Sequence, residues 1–117
     1  MSDKTICWNE TLHAGATATG NGTAMNVGGL AAVGLSVKGI TSATITIEGS
    51  VNGADYYAIR AYNPVDGAVA TTVAADGVRI VPTAGLDRLR ARISAYATGT
   101  IVVVAKGTVA TPAWLTS

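Results

Sequence analysis

The sequence predicts an all-β protein, an antiparallel two-sheet sandwich or jelly roll of about eight strands with no significant helix. Short apolar or alternating segments recur at strand-sized intervals, separated by turn dipeptides such as Asn52-Gly53 and Asp76-Gly77. The 117 residues include 14 Gly and no Phe, so Val, Ile, Leu and Ala must form the core. No hydrophobic period of 3.6 residues extends beyond a turn or two.

The beginning of the chain allows two interpretations. Residues 14–29 consist mainly of Ala, Thr, Gly and Asn, which is typical either of a flexible low-complexity arm or of a β-hairpin. The hairpin would turn at Gly20-Asn21-Gly22, with residues 23–27 returning, and the alternation around Met25 and Val27 favours it. We assign residues 1–18 to an N-terminal arm and residues 19–117 to the β-sandwich domain.

The central strands have the clearest patterns. Residues 32–38 place Val33, Leu35 and Val37 on one face, and residues 43–48 alternate strictly. The second pattern puts Ile45 and Ile47 on the core side and Glu48 on the other. Asn52-Gly53 then predicts a tight hairpin turn, since both residue types tolerate positive φ, and a strand follows over residues 56–62.

The C-terminal half predicts four more strands, over residues 69–73, 78–81, 86–95 and 100–106. The last two are expected to form an antiparallel hairpin that turns at Thr98-Gly99. The alternation predicts that five residues face the core: Ile45, Ile47, Leu89, Ala91 and Ile93.

Composition argues against several functions. Eight basic and seven acidic residues give a net charge of +1, which creates no field able to gather nucleic acid or anionic lipid. Only 13% of residues are charged, and this low fraction favours a protein that covers part of its surface with partner subunits. We expect no nucleic-acid partner, no membrane partner and no cofactor.

The sequence offers little catalytic chemistry. His13 is the only histidine and Cys7 the only cysteine, so a catalytic triad or a zinc site within one chain is disfavoured. The aspartates are spread through turns without the clustered spacing of a calcium loop. We therefore predict a non-enzymatic protein without a metal site.

The N-terminal residues lack the charged region, apolar stretch and cleavage site of a secretory signal. No apolar segment approaches the ~20 residues of a membrane helix. We expect the protein to be made and folded in the cytosol.

Two groups of residues are candidates for partner binding. Arg88, Arg90 and Arg92 alternate with apolar residues, so three guanidinium groups project from one strand face. They form either a solvated face balanced by Asp87, Glu48 or other carboxylates, or a docking stripe for acidic groups on a partner. Trp8 and Trp114 either pack across the sandwich or anchor the termini onto another subunit.

Three segments carry a resemblance to a known group of proteins. Gly20–Gly29, Ile47–Gly53 and Ala84–Tyr96 resemble segments of small bacteriophage virion proteins, the β-sandwich modules that decorate capsids or sit in head fibres and tail tips. The similarity extends from Gly20 to Gly107 and contains no catalytic motif.

The resemblance implies a capsid decoration, or cement, protein on the virion surface. Such a protein binds the lattice of the major capsid protein, commonly as a homotrimer, and stabilises the assembled head. The N-terminal arm would lie across capsid subunits or exchange between protomers. The segment Ser50–Tyr57 also resembles turns in carbohydrate-binding sandwiches, which supports an alternative: a glycan-binding module of a tail fibre or baseplate.

Overall fold

The computed structural model describes residues 7–108 and, from residue 9 onward, their side chains. Nine β-strands and no helix are present in this range, and it therefore contains no helix that could cross a membrane. The strands are β1 (Cys7–Ala16), β2 (Met25–Asn26), β3 (Ala32–Ser50), β4 (Tyr57–Ala58), β5 (Ala61–Tyr62), β6 (Val69–Ala70), β7 (Thr72–Val73), β8 (Gly77–Pro82) and β9 (Arg88–Thr108).

All pairings between these strands are antiparallel, and β3 and β9 form the centre of the sheet. The main order is β1-β9-β3-β8-β5-β6, with β2 paired to β9 and with β4 and β7 paired to β3. β3 and β9 pair from Ala32↔Thr108 to Ser50↔Arg88, with register shifts near the middle of both strands. The predicted all-β antiparallel class is confirmed.

Both long strands bend near their middle. The 21 residues of β9 would extend about 69 Å at about 3.3 Å per residue, whereas the longest dimension of the molecule is 49 Å. Register shifts between Lys38 and Ala43 mark the bend. Gly39 has φ +90° and Gly99 has φ +130°, conformations that only glycine adopts readily.

The core lies between the two halves of the bent sheet. Val33, Leu35 and Val103 come from one half, and Ile47 and Ile93 from the other, in one buried cluster. Its aliphatic side chains supply most of the folding energy, at about 25 cal/mol per Å² of apolar surface. All five residues predicted to face the core are at most 1% exposed, which confirms the facing assignment: Ile45, Ile47, Leu89, Ala91 and Ile93.

The predicted hairpin between residues 86–95 and 100–106 is wrong. Both segments belong to β9, and each pairs with a different half of β3. At Gly99 the chain bends without reversing, since the residues on both sides of it continue to pair with β3.

The predicted hairpin at Gly20-Asn21-Gly22 is also wrong. β2 pairs with β9 at Met25↔Leu89, and Gly20 forms an isolated bridge with Ile93. The alternative was a flexible arm over residues 14–29, of which residues 14–16 belong to β1 and pair with β9. The division into an arm of residues 1–18 and a domain of residues 19–117 stays a prediction. Docking or exchange by residues 1–6 lies outside the described residues.

Shorter differences occur around the loops. β3 and β4 do form a hairpin, but its loop spans residues 51–56, and only Gly53 there has positive φ, so the predicted tight turn is wrong. The strand predicted over residues 56–62 is divided into β4 and β5. The strand predicted over residues 69–73 is likewise divided, into β6 and β7.

Candidate functional site

The three arginines of β9 lie on one face, as predicted, and each pairs with a carboxylate. Arg90 Nε donates to Glu48 Oε1 at 2.7 Å, and Arg92 Nε donates to Glu48 Oε2 at 2.9 Å. Arg88 pairs with Asp87 at 3.0 Å. These contacts match the solvated-face interpretation, including both of its named carboxylates. Docking through this face stays a prediction.

Glu48 is the buried member of this cluster, with a side chain only 10% exposed. Burial raises the pKa of a carboxyl, but the hydrogen bonds and positive charges of Arg90 and Arg92 outweigh it, so the pKa of Glu48 lies below its ordinary value of 4.5. The sequence pattern placed Glu48 on the face away from the core. It is nevertheless buried, because two guanidinium groups cover it.

Arg90 also supports the β3–β4 loop. Its guanidinium carbon lies 3.8 Å from the centre of the Tyr56 ring, a cation–π contact. Arg90 therefore joins Glu48 on β3 to Tyr56 at the end of the loop. Consecutive residues on an extended chain point to opposite sides, which leaves the side chain of Tyr57 directed away from this cluster.

The loop itself is ordered by Asn52. Its Oδ1 accepts hydrogen bonds from the backbone nitrogens of Ala54 at 2.8 Å and Asp55 at 2.9 Å. These donors fix the orientation of the amide, and Nδ2 then donates to Asp55 Oδ2 at 2.8 Å. Ser50 Oγ accepts from the backbone nitrogen of Gly53 at 2.8 Å. The position of the Asp55 carboxylate is thus set by the loop backbone.

A groove of about 400 Å³ lies beside this loop. Tyr57, which is 72% exposed, and Val51, which is 73% exposed, border it. Ile59 and Leu86 close over Gly49 at its base, where a Cβ would lie 3.0 Å and 2.8 Å from their Cδ1 atoms. Asn52 and Asp55 add polar groups to the lining. The groove combines an exposed aromatic ring with a positioned carboxylate.

A second exposed region, here called the outer face, lies on the sheet side opposite the core. One row of paired residues runs Lys106–Gly34–Ile80–Tyr62–Val69 across β9, β3, β8, β5 and β6.

The next row of the outer face is Val104–Ser36–Val78. Its valines, together with Ile80, Tyr62 and Val69 of the first row, are 37–53% exposed. Gly34 and Ser36 leave a shallow depression of about 310 Å³ between the larger side chains. The outer face is therefore a ridged apolar surface, a shape suited to a protein partner.

The other predicted residues take no part in these surfaces. His13 is buried, and its Nε2 donates to the carbonyl oxygen of Ala91 at 2.5 Å, which joins the two halves of the sheet. No cluster of three metal-ligating side chains occurs within residues 9–108. The backbone of Trp8 lies in β1, but its side chain and all of Trp114 fall outside the described part of the chain.

Sequence reasoning missed the outer face, and it pointed to the loop beside the groove only through the resemblance of Ser50–Tyr57 to turns in carbohydrate-binding sandwiches. Exposure of Val78, Ile80 and Val104 follows from the pleat of each strand, but which strands lie side by side depends on the bend of β3 and β9. The exposure of Tyr57 had a signal, since it follows Asn52-Gly53 and neighbours Tyr56.

The fold and surfaces define a small all-β module that presents an apolar sheet face and a loop groove. Residues 7–109 match the XepA family model, and the chain belongs to the XepA family. No sequence among the curated proteins matches it.

Two solved structures share the fold. One is described as the PBSX exported protein XepA, with a TM-score of 0.86 and 17% identity over 92% of this chain. The chain corresponds to only 39% of the length of that protein. The other is described as the SPBc2 prophage-derived protein YomS, with a TM-score of 0.81 and 18% identity over 92% of this chain and 97% of that one.

Proposed function

We propose that this chain is a non-enzymatic structural module of a bacteriophage, and that it acts as a decoration protein on the capsid surface. The phage origin is supported by its family and by the two similar structures, one described as prophage-derived and one from PBSX. The observation that carries a docking role is the outer face, where five large apolar side chains lie together in solvent.

The proposed partner is the lattice of the major capsid protein. Apolar ridges on either side of Gly34 and Ser36 offer shape complementarity. In the other half of the bent sheet, the guanidinium groups of Arg88 and Arg92 keep exposed surface for acidic groups of a partner. A module that binds only the assembled lattice stabilises that lattice in proportion to its occupancy. We further propose that the module is a homo-oligomer, with a trimer as the expected form, because repeated weak contacts then act together.

A second candidate function is a glycan-binding module of a tail fibre or baseplate. Its supporting observation is the exposure of Tyr57 and Tyr62, since a sugar-binding module presents aromatic rings to solvent. The two functions place the same chain at different positions on the particle, the head or the tail.

Co-sedimentation of the purified protein with phage particles tests the capsid role. The unmodified chain is expected to pellet with particles that lack it, and Ile80→Ser to pellet at least tenfold less. Val51→Ser is the matched control, because Val51 is exposed but lies at the loop end of β3. If the protein stays in the supernatant with intact particles, the capsid role is wrong. Recovery of the chain only in the particle-free lysate would instead agree with the description of XepA as exported.

A further inference from the structure

We infer that the groove beside the β3–β4 loop is a binding site for a neutral pyranose ring of a glycan, an inference that rests on the second candidate function and assigns it a site. The site consists of the Tyr57 ring as a stacking platform, Ile59 and Leu86 as an apolar base, and Asp55 and Asn52 as polar groups at one side. Its volume of about 400 Å³ falls within the range of small-molecule sites.

The exposed ring of Tyr57 is the first feature that supports a sugar-binding site. A pyranose has apolar C–H faces and a rim of hydroxyl groups, so it binds where an aromatic ring lies beside hydrogen-bonding groups. Tyr57 is 72% exposed although it lies on a strand that pairs with β3. Because its backbone is held by that pairing, the ring is presented by a fixed element.

The carboxylate of Asp55 is the second feature that supports a sugar-binding site. Asp55 Oδ2 accepts from Asn52 Nδ2, and no donor within residues 9–108 approaches Asp55 Oδ1. That oxygen is free to accept from a sugar hydroxyl, and a bond to an ionised acceptor is stronger than one to a neutral acceptor. Pre-ordering of the loop by Asn52 lowers the entropy lost on binding.

The negative charge of the groove determines which class of glycan it can bind. Asp55 is the one ionisable acidic group that lines the groove among the described residues, and no basic side chain lines it. A sulfated or uronic-acid sugar would meet repulsion there, whereas a neutral sugar donates hydroxyl protons to the carboxylate. The ligand is therefore expected to be neutral.

This site is separate from the docking surface. The groove lies at the C-terminal end of β3, where Gly49 is at its base, while the outer face centres on Gly34 and Ser36 in the other half of the same strand. A substitution in the groove can therefore abolish glycan binding without affecting docking through the outer face, and the reverse.

Chemical-shift titration of the folded chain tests the inference, with neutral trisaccharides of glucose, galactose, mannose and N-acetylglucosamine as probes. We expect at least one trisaccharide to shift the backbone resonances of residues 51–59 with a Kd of about 1 mM. Tyr57→Ala should weaken binding at least tenfold, and Tyr57→Phe should retain most of it because the ring remains. Asp55→Asn should weaken binding severalfold.

The control is Val65→Ala, which truncates a side chain that is 89% exposed and lies outside the groove, and it should leave the titration unchanged. If no trisaccharide shifts these resonances at about 10 mM, a concentration ten times the expected Kd, the inference is wrong. It is also wrong if Val65→Ala weakens binding as much as Tyr57→Ala does. Particle binding by Tyr57→Ala, measured in parallel, should stay normal and thereby separates this inference from the capsid role.

Discussion

Replacement of Glu48 by glutamine is the sharpest test of how the arginine face is held. The substitution keeps the size of the side chain but removes the charge that Arg90 and Arg92 share. It also replaces one carboxylate oxygen by an amide nitrogen, which cannot accept from a guanidinium group. Two cations then lie side by side with no anion between them.

The expected loss follows from the two hydrogen bonds. A buried bond to a charged group contributes about 1.5–3 kcal/mol, which applies to Arg90 with its side chain 20% exposed. Arg92 is 38% exposed, so solvent screening reduces its contribution to about 0.5 kcal/mol. Glu48→Gln should therefore lower the free energy of unfolding by about 2–3.5 kcal/mol at pH 7.

The loss should depend on pH with a definite sign. Because the folded pKa of Glu48 lies below 4.5, the ionised carboxylate stabilises the fold fully above pH 4.5. That stabilisation disappears as the pH falls from 4.5 through the lowered folded pKa. The difference between the unmodified protein and Glu48→Gln should shrink over the same window.

Urea unfolding followed by circular dichroism at pH 7, 5, 4 and 3 measures this difference. Glu10→Gln is the control, since no ion pair of Glu10 occurs among residues 9–108, and it should change stability by less than about 0.5 kcal/mol. An equal loss for Glu48→Gln at pH 7 and pH 3 would refute the assignment of the loss to the shared charge.

Three further substitutions test the core, the bend and the arginine face. Ile93→Asp should prevent folding, because it buries an unpaired charge at a position that is 1% exposed. The control Ala95→Asp, at an exposed position, should fold, and circular dichroism distinguishes the folded from the unfolded variant. Gly39→Ala should destabilise by more than about 3 kcal/mol, since φ is +90° and the new Cβ would overlap the Thr100 carbonyl. Gly67→Ala, with φ +78° but open space, should lose only about 1 kcal/mol, and equal melting temperatures for these two would contradict the account of the bend. Arg90→Glu should lower the melting temperature rather than act on binding alone, because it sets a second carboxylate against Glu48; an unchanged melting temperature would return Arg90 to a docking role.

Local patterns predicted which side chains of the long strands face the core, but not how the strands begin, end and pair. Alternation around Ile45, Ile47 and Ile93 identified the core side correctly, because the pleat alone determines which side chains share a face. The same rules treated Gly99 as a turn, since a glycine after Thr98 is compatible with either reversal or bending. Whether the chain reverses or bends at Gly99 depends on partner strands that are distant in sequence. Both halves of β9 pair with β3, which itself bends at Gly39.

The candidate sites were likewise predictable from local patterns only where they lie on a single strand. The arginine face and its carboxylates Glu48 and Asp87 followed from alternation and composition. The outer face did not, because Tyr62, Ile80 and Val104 become neighbours only through the sheet order β9-β3-β8-β5. The groove depends on the Asn52 hydrogen bonds within a six-residue loop, whereas the dipeptide signal predicted a two-residue turn.

Cryo-electron microscopy of the virion is the most direct test of the proposed function. The account predicts density for this chain at regular positions on the capsid surface, with the outer face turned toward the shell. Density confined to the tail or fibres would contradict the capsid role and favour the glycan-binding alternative. A particle that carries no density for this chain would contradict both positions.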